Sequence, residues 1–261
     1  MSTLFPDAYP KPYPGSPSGV GTFAPGHQYA SSTPASTLLD GLISYWKLDE
    51  ESGTRYDSVG TNHLTDNNTV GFVAGVNGNA ASFVAANGES FSRQTIPMDL
   101  STGMTYAAWT RRNQATQPNM ISNGAPTWFG GSGSFVISTQ GIGPPYVYVV
   151  FANETNYTGA NDTITDELWH LVVVWYDPDT KLASIQIDGR APVVAGTALV
   201  GAHPVINSAG LMKINSATTW AEAGDATQQE QDEVAIWSRV LTADERAELY
   251  AAGAGKFYPF T

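Results

Sequence analysis

Cysteine is absent from this chain of 261 residues. Disulfides, thiolate metal sites and cysteine nucleophiles are thereby excluded, while the redox compartment stays open, because a domain of this size does not need disulfides. Basic residues are scarce: 12 Lys and Arg stand against 24 Asp and Glu, a formal net charge of −12. Such a chain is a poor partner for nucleic acid, since phosphate binding needs clustered Lys and Arg. No apolar run reaches the length of a membrane span. The first residues lack the basic, apolar, small-residue order of a secretion signal. The expectation is a protein made in the cytosol and released, if at all, by another route. No Gly-x-Ser-x-Gly elbow occurs and only 4 histidines are present, which leaves nucleophile triads little to draw on.

What the chain does have is glycine (26 residues) and aromatics (11 %), with charged residues at only 14 %. Gly-rich, aromatic-rich, charge-poor chains with few helical patterns lean towards sandwiches and barrels, whose many turns consume Gly, Asn and Asp.

Residues 1–38 form an extended arm. Prolines at 6, 10, 12, 14, 17, 25 and 34 forbid regular helix and central-strand pairing. The spacing Pro10, Pro12, Pro14 favours polyproline II. Five spaced aromatics, Phe5, Tyr9, Tyr13, Phe23 and Tyr29, are candidate anchors on a partner. Prolines lower the entropy lost on fixing such a segment, so the arm is expected to lie against a surface: its own domain, a sister subunit or a larger assembly.

Residues 39–261 read as one domain of strands. "GLISYWKLDE" alternates Leu42, Ser44, Trp46 against Ile43 and Tyr45. "AASFVAANG" is a short strand ending in a turn, and "MTYAAWTRR" is another strand. "PPYVYVVFANE" is apolar on both faces, which predicts a central strand covered on both sides. "LWHLVVVWYDPDTKLASIQIDGR" predicts a hairpin: Trp169, Leu171, Val173 and Trp175 share one face, Asp177-Pro178-Asp179-Thr180 turns, and Ala183, Ile185 and Ile187 share a face of the return strand. "QDEVAIWSRV" is a strand. "LTADERAELYAAGAG" is the one convincing helix, with Thr242 as N-cap, Glu245 completing a capping box, and Gly253 suited to the left-handed C-terminal position.

The order "ISYWKLDEESGT…DSVGTNHL", "AASFVA", "MTYAAWTRR", "ELWHLVVVWYDPDTKLASIQIDGRAP", "DEVAIWSRVLTADERAELYAAG" resembles the laminin G-like, concanavalin A-like jelly-roll domains of bacterial and viral proteins. The resemblance covers about residues 40–255. It implies an all-β fold: a two-sheet antiparallel jelly-roll sandwich of roughly six or seven strands per sheet with one short C-terminal helix. Fold does not fix function here, because lectins, glycosidases and adhesive modules share this architecture.

Three chemistries are open to these residues. Retaining glycosidases need two carboxylates on one strand face. From Glu230 that face runs Glu230, Asp232, Val234, so the final acid is missing and no enzyme is expected. The family's calcium habit, an ion pinning the loop after the first strand to the Asp of the last, implies Asp57, Asn62 and Asp232 as ligands of a structural Ca²⁺; the plainer alternative is that Asp57 caps a turn and Asp232 accepts backbone N–H groups. Sugar binding would use loop aromatics, Trp128 in "NGAPTWFGGSGS" and Tyr157 in "FANETNYTGANDT", although singly exposed aromatics are common. His170 beside Trp169 reads as structural, and His63 as unconstrained.

An acidic, cysteine-free jelly roll with an extended hook is built as bacteriophage decoration or fibre proteins are, which it resembles in design. The expectation is a non-enzymatic virion structural protein at the virion surface, assembled in the host bacterial cytoplasm. The arm would grip the major capsid or another virion protein, and the outward lectin-like domain would bind host-surface glycans. A homo-oligomer is expected, since bridging subunits are commonly symmetric. The alternative is a carbohydrate-binding module of a bacterial surface or exported protein.

Overall fold

A computed structural model describes residues 36–112, 118–123, 134–140, 146–153, 156–206, 210–217 and 229–261. Within them the chain runs through β1 (Leu42–Trp46), β2 (Thr65–Asn67), β3 (Gly71–Ala74), β4 (Asn79–Phe83), β5 (Ser90–Gln94), β6 (Met98–Asp99), β7 (Met104–Arg112), β8 (Pro118–Asn123) and β9 (Ser134–Gln140). It continues through β10 (Tyr146–Ala152), β11 (Tyr157–Thr163), β12 (His170–Asp177), β13 (Leu182–Ile187), β14 (Val193–Val194), β15 (Val205–Ile206), β16 (Leu211–Ala217) and β17 (Gln229–Trp237). One helix, α1 (Ala243–Tyr250), follows.

All pairings are antiparallel. The first sheet has the order β14-β13-β12-β7-β17-β4-β3, and β1 pairs the second half of β17 where β4 pairs the first. The second sheet has the order β11-β10-β9-β8-β16-β5-β2. This is the expected all-β, two-sheet jelly-roll sandwich with its short C-terminal helix.

Two apolar clusters follow from strand alternation. On β12, Val172, Val174 and Tyr176 face the space between the sheets, with Phe91, Ile121, Ile137, Val149 and Ile185. Leu171, Val173 and Trp175 face the opposite side, with Trp109, Trp237 and Leu249. Both faces of β12 are buried because α1 and the C-terminal tail cover the outer one, Phe257, Tyr258 and Phe260 included. Each aliphatic side chain so removed from water contributes about 1.5–3 kcal/mol. The predicted hairpin is present, with Val174 opposite Ile185.

Three expectations are corrected. β10 is second from the sheet edge, beside β11; Val147, Val149 and Phe151 are buried, but Tyr148 and Val150 on the other face are only half-buried. The left-handed residue that ends α1 is Ala251 (φ 44), two residues before Gly253. Thr37 and Leu38, assigned to the arm, belong to the domain: Leu38 is buried, its carbonyl accepts from Trp237 Nε1 at 2.7 Å, and Thr37 Oγ1 donates to Glu245 Oε1 at 2.5 Å.

Glu245 closes the capping box, accepting from Thr242 N at 2.8 Å on Oε2 while Thr242 Oγ1 accepts from Glu245 N at 3.2 Å. Arg239 grips the same carboxylate at 2.6 and 2.7 Å. Those bonds, the Arg239 ones first, hold the Glu245 carboxyl down at about 2.

Candidate functional site

The first half of β17, residues 229–233, is polar throughout and buried throughout. Glu230 is buried and ion-paired through Oε2 to Arg111 Nε, whose guanidinium lies 5.1 Å from the Trp169 ring centroid. The pairing of β17 with β7 slips between Asp232 and Ala235, and Glu233 at the slip is left-handed (φ 53). Such a bulge inserts a residue and reverses the alternation after it. Val234 therefore joins the cluster between the sheets, while Ala235 joins the outer one. The predicted shared face Glu230, Asp232, Val234 stops at Asp232.

Asp232 pins the loop between β3 and β4. Its Oδ2 accepts from Val76 N at 2.7 Å and Asn77 N at 3.2 Å. Gly75 makes this approach possible, since a Cβ there would stand 2.3 Å from Oδ2. Glu233 Oε1 accepts from Asn77 Nδ2 at 2.7 Å. Asp232 Oδ1 and Glu233 Oε2 are buried without hydrogen-bond partners. Burial, then the adjacent Glu233 charge, pushes Asp232 up to about 8; burial likewise pushes Glu233 up to about 7. Glu233 also lines a small cavity under α1, walled by Tyr45, Trp109, Trp237 and Phe257.

Asp57 does separate work. Its Oδ1 accepts from Tyr45 N and Val59 N, both at 3.0 Å, and its Oδ2 from Asn62 N at 3.1 Å. Asn62 Nδ2 donates to Ser44 Oγ at 2.6 Å, and the Asn62 carbonyl accepts from Trp46 Nε1 at 2.7 Å. Both acids are backbone acceptors, which is the plainer of the two readings of them. No group of three His, Asp or Glu arranged for a metal ion occurs among the described residues. Of the three expected calcium ligands, Asp232 alone keeps a buried carboxylate oxygen without a partner.

Tyr157 begins the edge strand β11, opposite Ala152, and is 39 % exposed. Trp128 and the arm aromatics Phe5, Tyr9, Tyr13, Phe23 and Tyr29 lie outside the described residues.

Two arrangements have no counterpart in the sequence reading. His170 sits between two carboxylates, Nδ1 to Asp188 Oδ2 and Nε2 to Asp166 Oδ1, each at 2.7 Å. His63, unconstrained in the sequence, is fixed: its Nδ1 accepts from Asp57 N at 3.0 Å, and its ring meets Tyr56 edge to face, centroids 5.1 Å apart. The Asp-Gly turn after β13 was the only hint of the first. For the second, Tyr56 and His63 are seven positions apart in a polar loop with no periodicity.

Among solved structures, the chain is similar to the binding domain of Paraclostridial Mosquitocidal Protein 1 (TM-score 0.65, 11 % identity, covering 82 % of this chain and 52 % of that one). It is also similar to the botulinum neurotoxin serotype C1 binding domain (0.59, 12 %, 82 % and 52 %) and the serotype G binding domain (0.59, 15 %, 81 % and 51 %). The chain thus spans about half the length of the structures it matches, and at these identities the likeness is one of fold. A comparison with curated proteins finds no match. The profile of the concanavalin A-like lectin/glucanases superfamily (Laminin_G_3) matches residues 85–245, more than half of the chain, and carries the β7, β12–β13 and β17 landmarks. The chain belongs to the concanavalin A-like lectin/glucanase superfamily.

Proposed function

We propose that the chain is a non-enzymatic, lectin-like glycan-binding module of a bacteriophage particle, fastened through its N-terminal arm to the major capsid or another virion protein and facing outwards. The observation that carries binding over hydrolysis is that the acids of β17 are already engaged: Glu230 is ion-paired to Arg111, and Asp232 accepts from the Val76 and Asn77 amides. A retaining glycosidase needs two carboxylates free to act on a bound sugar from about 5 Å apart. The virion setting rests on the sequence alone: the proline-rich arm, its aromatics and the acidic surface. The second reading, a carbohydrate-binding module of an exported or surface protein, draws on the fold likeness to toxin binding domains.

A structural calcium ion is proposed at Asp232, whose Oδ1 is a buried oxygen of the hard type that Ca²⁺ takes. Asp57 and Asn62 are committed to backbone amides and Ser44, and among the described residues they are not grouped with Asp232.

The test uses the full chain and a form lacking residues 1–35, the cut placed ahead of Thr37 and Leu38 because both pack into the domain. Both forms are expected to bind a glycan array, and only the full chain to join phage particles. Full decoration by the truncated form would remove the attachment role. Hydrolysis of an array sugar, lost in Glu230→Gln, would overturn the non-enzymatic reading.

A further inference from the structure

The loop between β1 and β2 is polar and long, yet it is held from below. Two isolated bridges cross it, Trp46 with Asp57 and Arg55 with Leu64. Arg55 is fully buried, donates to Gly53 O at 2.6 Å and Val70 O at 3.1 Å, and lies 4.6 Å from the Phe91 ring centroid. Arg55 and Asp57 point inwards, so Tyr56 between them points out and is 59 % exposed. Its amide donates to Glu50 Oε1 at 2.8 Å, and His63 packs at 70° to its ring.

The imidazole of His63 has a defined tautomer. Nδ1 accepts from Asp57 N at 3.0 Å and carries no proton, which leaves N–H on Nε2 of an exposed residue. A propped, exposed aromatic face thus stands beside a fixed N–H donor. Glu50 Oε2, on the same loop, is a buried acceptor without a partner.

We propose that Tyr56 and His63 form a sugar subsite that takes a neutral hexopyranose. The apolar C–H face of the ring stacks on Tyr56, and a ring hydroxyl accepts from His63 Nε2–H. Charge selects the class: Glu50, Glu51 and Asp57 share this loop and the chain carries −12, which disfavours sialic and uronic acids. Pinning the loop in the free protein removes an ordering cost from binding. The proposal rests on the lectin-like reading and assigns its site.

The test is saturation-transfer NMR with methyl glycosides of galactose, glucose, mannose and N-acetylglucosamine, and with a sialoside and a glucuronide, on the full chain. A neutral glycoside is expected to bind, with affinity reduced about tenfold or more in Tyr56→Ala, less in His63→Ala, and kept in Tyr56→Phe. Tyr56 is exposed, so the variants' unfolding midpoints should match the parent's. Neutral-sugar binding unchanged in Tyr56→Ala overturns the subsite and leaves the lectin-like reading standing. Binding of the acidic sugars alone overturns the charge argument and the subsite with it. Binding of none of the six sinks both.

Discussion

The charged form of His170 is favoured because the chain places a carboxylate at each of its ring nitrogens, 2.7 Å away. Two acceptors demand two N–H donors, and only imidazolium supplies them. The hydrogen bond to Asp188 first, and that to Asp166 with it, raises its affinity for the proton against the opposing cost of burial. A raised folded value means that the stabilisation is complete below the ordinary histidine value of about 6.5 and is lost as pH climbs through the folded value. His170→Asn should therefore cost about 1–2 kcal/mol at pH 6, and the gap to the parent should shrink towards pH 9; urea melts at the two values check this, and an equal gap at both would be inconsistent with it. Asp232 makes the opposite demand, being a buried acid with one oxygen unmet. Calcium at about a hundredfold over its dissociation constant is expected to stabilise the parent by about 2–3 kcal/mol and to leave Asp232→Asn unmoved. If the parent's melt ignores calcium and chelator alike, the ion is not there to hold.

At the scale of elements, what matters is how a turn or a cap meets its neighbour. The β3–β4 loop is tight enough that a Cβ on Gly75 would stand 2.3 Å from Asp232 Oδ2 and 2.8 Å from the Asn79 carbonyl. Gly75→Ala forces backbone apart and should cost about 2–3 kcal/mol, read from the denaturation midpoint. Helix α1 shows how far local signals reach. Thr242 and Glu245 announced its start, because a capping box is a contact between residues three apart. Its end was missed, since Ala251 takes the left-handed position on tertiary demand although alanine has no preference for it. That Glu245 also receives Thr37 Oγ1, 208 positions away, has no local signature at all.

At the scale of the whole molecule, the central strands of the first sheet, β12, β7 and β17, are buried on both faces, and the residues after β17 supply the second cover. Leu249, Phe257 and Phe260 close over Trp109, Leu171, Trp175 and Trp237. Ending the chain after Arg239 uncovers those side chains and should produce a protein that binds ANS and aggregates. The milder Leu249→Ala should remain soluble at a cost of about 2–4 kcal/mol. ANS fluorescence and gel filtration beside the full chain distinguish the two; a truncated form that stays monomeric and dye-free would mean the tail is an accessory. Those four side chains, three Trp and one Leu, were visible in the sequence as apolar alternation, but what covered them was not, because the cover is supplied by a helix and tail that follow the last strand.

Sequence alone determined the strands with regular alternation, the β12–β13 hairpin, the start of α1, the all-β class and the family, since all of these rest on periods of two, on turn residues and on the order of landmarks along the chain. Only the tertiary structure decided the register slip at Glu233, the separate duties of Asp57 and Asp232, the two carboxylates that favour a charged His170 and the pairing of Tyr56 with His63. Each of these is set by groups that meet across sheets or through loops. A one-residue bulge reverses every face beyond it, and a loop's side chains acquire direction only from what pins the loop beneath them.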